Sequence, residues 1–203
     1  MVVNGIVESQ VPVRTLSQRA RDAALAFVNE AACGWGREEL ARWLVTTYAP
    51  AVHSIASPPS AARSREVTVD DASVARLVAD ARLRVARFLE TLTAEDPADL
   101  ARAAIEQGLV VPVRDPKGDI GYLPVSSPAM RLVPRLTALF VADYLSAPER
   151  YEEIAICQCC GMISFGSAEA HAAWCEPTPG SGTFRHSTFR VAEPFPLVVE
   201  RVA

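Results

Sequence analysis

Four side chains near the C-terminal end constrain this chain more tightly than any other feature. Cys157 and Cys160 are separated by two residues, ten residues intervene, and His171 and Cys175 follow with three residues between them. The pattern gathers three thiols and an imidazole, a donor set suited to tetrahedral Zn²⁺. A C-x-x-C pair turns back on itself so that both sulfurs face one point, and Gly161 supplies the positive φ that such a tight turn often needs. The spacing predicts a strand over 154–156, a turn, and a return strand over 162–165. Gly166 and Ser167 then interrupt, and Ser167 is a good N-cap for a helix over 168–175. On that helix His171 and Cys175 are i and i+4, so they share one face. Pro177 closes it.

With these residues in place, the stretch 154–177 resembles a C2HC zinc finger of the strand–turn–strand–helix or treble-clef kind. Cys157, Cys160, Gly161, Phe165, His171 and Cys175 carry the likeness, which covers roughly a tenth of the chain. The resemblance implies one structural zinc ion held by Cys157, Cys160, His171 and Cys175. The interval between the pairs is shorter than that of base-reading C2H2 fingers, and Ala168 stands where many fingers carry a leucine. Two neighbours complicate the donor set. Cys159 lies between the presumed ligands and either replaces one or stands as a spare thiol, which strand alternation favours. His186 is a reserve ligand or an ordinary loop histidine. The competing readings are a cluster of small buried hydrophobes and a redox centre.

The chain has 203 residues, half of them hydrophobic, enough to bury a core for one domain or for one domain with a small appendage. Five cysteines, mostly in one cluster, fit metal binding in a reducing compartment better than a disulfide framework. The net charge of −4 gives no overall pull toward nucleic acid or an anionic membrane. The start of the chain lacks the pattern of a signal peptide, and no apolar run reaches membrane-spanning length. These features together predict a cytoplasmic protein without a membrane partner. Lys117 is the sole lysine among many arginines, a bias that points weakly to a GC-rich bacterial gene.

In chain order, residues 1–14 read as a short strand or arm. A helix follows from Thr15, where Thr15 and Gln18 are spaced as a capping box, with Leu16, Ala20, Ala23, Ala24, Phe27 and Ala31 on its apolar stripe. Cys33, a lone core cysteine, begins a break. A second helix over 37–48 buries Leu40, Trp43, Leu44 and Tyr48, and Pro50 is expected to end it. Residues 49–65 read as a linker with a solvated His53. The clearest helix runs from Asp70 or Asp71 to Leu92, with Val74, Leu77, Val78, Ala81, Val85, Phe88, Leu89 and Leu92 inward. Arg76, Arg84 and Arg87 fall within an arc of about 80° at about 100° per residue. Asp80 lies among them and makes a solvated, charge-paired face the better reading.

Asp96 and Pro97 read as N-cap and N1 of a fourth helix, with Leu100, Ala104 and Ile105 inward and Gly108 at C′. A hairpin near 109–125 follows, turning at 115–118. It is similar to the wing of a winged-helix domain, yet no recognition helix precedes it, so a plain two-stranded insert is preferred. A last helical region of the body begins near Ser127, is interrupted or restarted by Pro134, and buries Leu132, Val133, Leu136, Leu139, Phe140 and Tyr144. After the finger, 183–191 and 197–202 read as short strands. The expected architecture is mainly α with small β elements: a helical body over 1–150 and a zinc-bound α+β module over 151–203.

Charge weighs against reading nucleic acid through the finger. Residues 151–184 contain Glu152, Glu153, Glu169 and Glu176 and no Lys or Arg. Zinc with three thiolates adds another negative charge, bringing the segment to about −5. Phosphate contacts need cations. No H-E-x-x-H, G-x-S-x-G or phosphate-loop motif points to catalysis, and four protein ligands leave no position for a zinc-bound water. The expected function is therefore a non-enzymatic, zinc-stabilised adaptor or regulator that binds another protein or itself. The alternatives are a nucleic-acid-associated transcriptional regulator and a thiol/zinc redox sensor using Cys159. Trp174, Phe184 and Phe189 are candidate contact residues.

Overall fold

The computed structural model describes residues 2–3, 6–31, 34–52, 70–92, 95–125, 130–152, 154–156 and 162–165. Two short strands, β1 (Val2–Val3) and β2 (Ile6–Glu8), lead into α1 (Val13–Glu30). The stripe expected on α1 is buried, from Leu16 through Ala20, Ala23, Ala24 and Phe27 to Ala31, and Val13, Ser17 and Val28 are buried with it. The start differs from the expected capping box. Pro12 occupies the N-cap and makes no side-chain cap, and the helix begins two residues earlier than Thr15. Proline's fixed φ suits a helix entry and needs no hydroxyl cap.

Helix α2 (Arg37–Trp43) runs on through a π-helical turn, Leu44–Tyr48, into α3 (Ala49–Val52). Pro50 therefore does not end this segment. Proline cannot donate to the carbonyl four residues back and clashes with it. The wider π turn absorbs that conflict, with the Ala49 N–H reaching the Leu44 carbonyl five residues away. This segment supplies an aromatic cluster. Phe27 meets Trp35 edge-on at 5.5 Å and Trp43 at 5.1 Å, and Trp43 lies 5.3 Å from Tyr48. The buried indole N–H of Trp43 donates to the Ala23 carbonyl at 2.9 Å, which ties α2 to α1.

Helix α4 (Asp71–Leu92) matches its expected span. Val74, Val78, Ala81, Val85, Leu89 and Leu92 are buried, whereas Leu77 is exposed at the margin of the stripe. The opposite face is solvated, with Arg84 paired to Asp80 at 2.8 Å. Helix α5 (Pro97–Glu106) starts as read: the Asp96 carboxylate accepts from the Ala98 and Asp99 N–H groups at 2.8 and 3.2 Å. It ends in a Schellman motif. Gly108 takes φ +66°, its N–H reaches the Ile105 carbonyl, and the Leu109 N–H reaches Ala104. Ile105 is exposed and Ala101 is buried in its stead.

Strands β3 (Val110–Arg114) and β4 (Ile120–Pro124) form the expected hairpin, closed by the Asp115 carboxylate, which accepts from the Lys117 and Asp119 N–H groups. The hairpin is not a two-stranded insert. β2 pairs parallel with β3 (Val7 opposite Val113) and β1 antiparallel with β2, giving a four-stranded sheet in the order β1-β2-β3-β4. Pairing the N-terminal strand with a distant hairpin satisfies the inner edge of β3. On the outer edge, the Ser146 hydroxyl accepts the Tyr122 N–H at 2.8 Å.

Helix α6 (Leu132–Ser146) crosses the middle, with Pro134 in its first turn. Leu136 and the run from Ala138 to Asp143 are buried, so the helix is enclosed nearly all round rather than on one face. α1 packs along one side and β4 along another. Gly121 permits that closeness: a Cβ there would lie 2.8 Å from Val13 and 2.9 Å from the Ser146 hydroxyl. A 3₁₀ turn, Pro148–Tyr151, leads to β5 (Ile154–Ile156), which pairs antiparallel with β6 (Ile163–Phe165). The chain is thus mainly helical with small β elements. Ile154 and Ile163 belong to the same hydrophobic core as α1, α4 and α6.

Candidate metal centre

The strand–turn–strand expected at the start of the finger is present as far as its stem. β5 and β6 pair in the register Ile154 opposite Phe165, Ala155 opposite Ser164 and Ile156 opposite Ile163. Cys157 follows directly on the last residue of β5, and Cys160 precedes β6 by three positions. The segment bearing both cysteines therefore leaves and re-enters the fold at paired strand ends. Cys157, Cys160, His171 and Cys175 themselves lie outside the described residues. So do Cys33, Cys159, His53, His186, Trp174, Phe184 and Phe189, with the predicted helix over 168–175 and the later strands. Among the described residues no group of three or more His, Cys, Asp or Glu is placed to hold a metal. The donor chemistry of the four predicted ligands suits zinc, and β5 and β6 bracket the segment that carries Cys157 and Cys160.

The stem is set into the helical body by side chains of α1. The Asn29 amide makes two hydrogen bonds to one residue of β6: its nitrogen donates to the Ile163 carbonyl at 2.9 Å, and its oxygen accepts the Ile163 N–H at 2.8 Å. These backbone groups would otherwise form an unpaired strand edge. The Phe165 ring packs edge-on against Tyr151 at 4.9 Å, and the Arg21 guanidinium sits over the Phe165 ring at 4.9 Å from the centroid.

Arg21 also belongs to a buried ionic cluster beneath the stem. Asp143 on α6 is fully buried. One oxygen is tightly paired with Arg150 of the 3₁₀ turn, and the other lies 3.8 Å from Arg21 without a hydrogen-bond partner. Burial pushes the Asp143 carboxyl above its usual range, opposed by the charges of Arg150 and Arg21 and by the Ser17 and Tyr151 hydroxyls. Burial also lifts the Tyr151 phenol well above its usual value, aided by the Asp143 charge, so it stays protonated. That phenol donates to the Phe140 carbonyl at 3.1 Å. Arg150 extends to the Arg14 carbonyl, and Arg14 pairs with Glu149 at the surface.

Sequence reasoning singled out none of Asn29, Arg21, Asp143 or Arg150. One signal was available: Asp143 is the lone charge in the apolar run 136–145 of an enclosed helix. A buried carboxylate needs a cation, and Arg150 is seven residues further on. Asn29 carried no such signal, since an asparagine near a helix end is unremarkable in sequence.

The chain was compared with known protein families, with characterised proteins and with solved structures, and none of the three comparisons found a match. No helix among the described residues is long and apolar enough to cross a membrane.

Proposed function

We propose that this chain is a zinc-stabilised, non-enzymatic adaptor or regulatory protein that binds another protein or a second copy of itself. One structural zinc held by Cys157, Cys160, His171 and Cys175 would shape residues beyond the β5–β6 stem into a rigid surface carried on the helical body. The observation that carries this reading is the antiparallel register of β5 and β6, which returns the two-cysteine segment to adjacent strand ends. The acidic character of residues 151–184 favours a protein partner over nucleic acid at this end. A closed four-ligand site confers stability and shape rather than an open position for water.

Native mass spectrometry of the protein purified from its own cells tests the proposal. One zinc per chain, together with a co-purifying protein or a homo-oligomer, is the expected result. A chain free of stoichiometric metal would remove the structural basis of the reading. A bound nucleotide or organic cofactor would point to an enzyme, and salt-sensitive retention on heparin to nucleic acid.

A further inference from the structure

We infer that Asp143 is a proton-operated latch for β6: ionised, it holds the Arg21 guanidinium over the Phe165 ring, and protonated, it lets that cation turn outward to Asp22. The geometry is a three-way contest for one side chain. Arg21 is 13 % exposed, pairs with Asp22 at 3.0 Å, lies 3.8 Å from Oδ2 of Asp143 and sits 4.9 Å from the Phe165 centroid. The Asp22 side chain is about half exposed, so water screens its pull. Asp143 is fully buried, so its charge acts in a lower dielectric and reaches past hydrogen-bond distance. Arg150 hydrogen-bonds the other Asp143 oxygen and is anchored a second time on the Arg14 carbonyl. Arg21 is drawn to Asp143 by charge, without a hydrogen bond. Of the two cations, Arg21 is therefore the one free to respond when that charge is removed.

The groups that face Asp143 are Arg21 and Ser17 from α1 and Arg150 and Tyr151 from the 3₁₀ turn. Glu149 of that turn is engaged with Arg14 at the surface, and Tyr151 stays protonated. Helices α4 and α5 and strands β3 and β4 also pack on α6, and their buried side chains are apolar. One titration therefore governs the cluster. Burial raises the Asp143 carboxyl, so as pH falls it takes up its proton above 3.8. The folded state binds that proton more tightly than the unfolded chain, so uptake does not weaken the body. What it withdraws is the cation over Phe165, and with it part of the grip on β6. The latch is independent of any metal bound between the strands.

The decisive experiment is an NMR titration of the full chain from neutral pH into acid, following the Asp143 carboxyl carbon, the Arg21 Nε–H and the Phe165 ring protons. All three should move with one midpoint, above 3.8. In Arg21→Gln the Asp143 carbon should still titrate while the Phe165 signals stay fixed. Asp143→Asn mimics the protonated latch. At neutral pH its Ile163 amide, whose N–H donates to the Asn29 oxygen, should exchange about threefold faster than in wild type. The Leu89 amide, in the core of α4, gauges general destabilisation and should exchange at its wild-type rate. Arg21 and Phe165 signals that ignore the Asp143 midpoint in wild type would overturn the latch. So would a Phe165 response that survives Arg21→Gln, or equal acceleration at Ile163 and Leu89 in Asp143→Asn. Should Asp143→Asn fail to fold, the wild-type and Arg21→Gln titrations decide the matter by themselves.

Discussion

The two ends of α1 are held in different ways. Around Phe27 the helix meets Trp35, Trp43 and Tyr48 in an aromatic cluster, tied by the buried Trp43 indole N–H to the Ala23 carbonyl. From Arg14 to Arg21 it meets Asp143 and Arg150 through charges and a carbonyl, and Arg21 reaches on to Phe165 of the β5–β6 stem, while Asn29, at the aromatic end, adds two hydrogen bonds to Ile163. Apolar burial is non-directional and scales with area, so the aromatic end supplies stability and tolerates changes of shape. A buried ion pair returns little net stability because desolvation offsets its Coulomb energy. Its geometry, however, is exacting. Polar contacts from both ends thus set where the stem sits, and apolar burial sets how firmly the body folds.

The largest effect should come from the aromatic end. Phe27→Ala removes the ring at the centre of the cluster and should cost about 4 kcal/mol in urea or thermal unfolding, since the enclosing helices cannot collapse into the space. A loss below about 1 kcal/mol would mean that this end is not where the stability lies.

At the joint, Arg150→Met should cost about 3 kcal/mol at neutral pH, because it strips the closest cation from a fully buried carboxylate. The pH dependence has a definite sign. The folded Asp143 carboxyl is raised above the unfolded value of 3.8, so the folded state holds the proton that the unfolded chain has already released. Its contribution to stability therefore falls as pH rises through that window. Arg150→Met raises the carboxyl further and steepens the fall. Urea midpoints of variant and wild type should converge near pH 3 and separate toward neutrality. A gap independent of pH would show that the joint does not act through Asp143.

Gly121→Ala probes the seam where the sheet meets α1 and α6. The added methyl meets Val13 and Ser146, so roughly 2 kcal/mol should be lost, and the Tyr122 amide should exchange faster as Ser146 is displaced. The smallest effect is expected on the solvated face of α4. Arg84→Ala breaks the exposed pair with Asp80 and should change stability by less than about 0.5 kcal/mol, with no change in zinc content. A larger loss would give that arginine stripe a role beyond solvation.

Sequence reading succeeded where structure depends on neighbours along the chain. The N-cap Asp96–Pro97, the Schellman glycine Gly108, the turn at 115–118 and the period of α4 are local chemistry, and each stands where its residues indicated. The strands flanking the two-cysteine segment were legible for the same reason. Pro50 was misread because a wider helical turn can accommodate it, and that turn goes with burial of Trp43 just before it and of Tyr48 at its end. The hairpin was read as solitary because nothing near residue 110 announces that Val7 will lie opposite Val113.

Residue spacing by itself determined the course of α4, both caps of α5 and the pairing of strands adjacent in sequence, since hydrogen bonds and rotamers within a few residues set these. Only the tertiary structure decided that the first strand joins the distant hairpin, that Asp143 sits between Arg150 and Arg21, and that Asn29 grips Ile163. These pairs lie far apart along the chain or depend on depth of burial. A polar side chain finds such a partner only once the surrounding apolar surfaces have closed and water no longer competes.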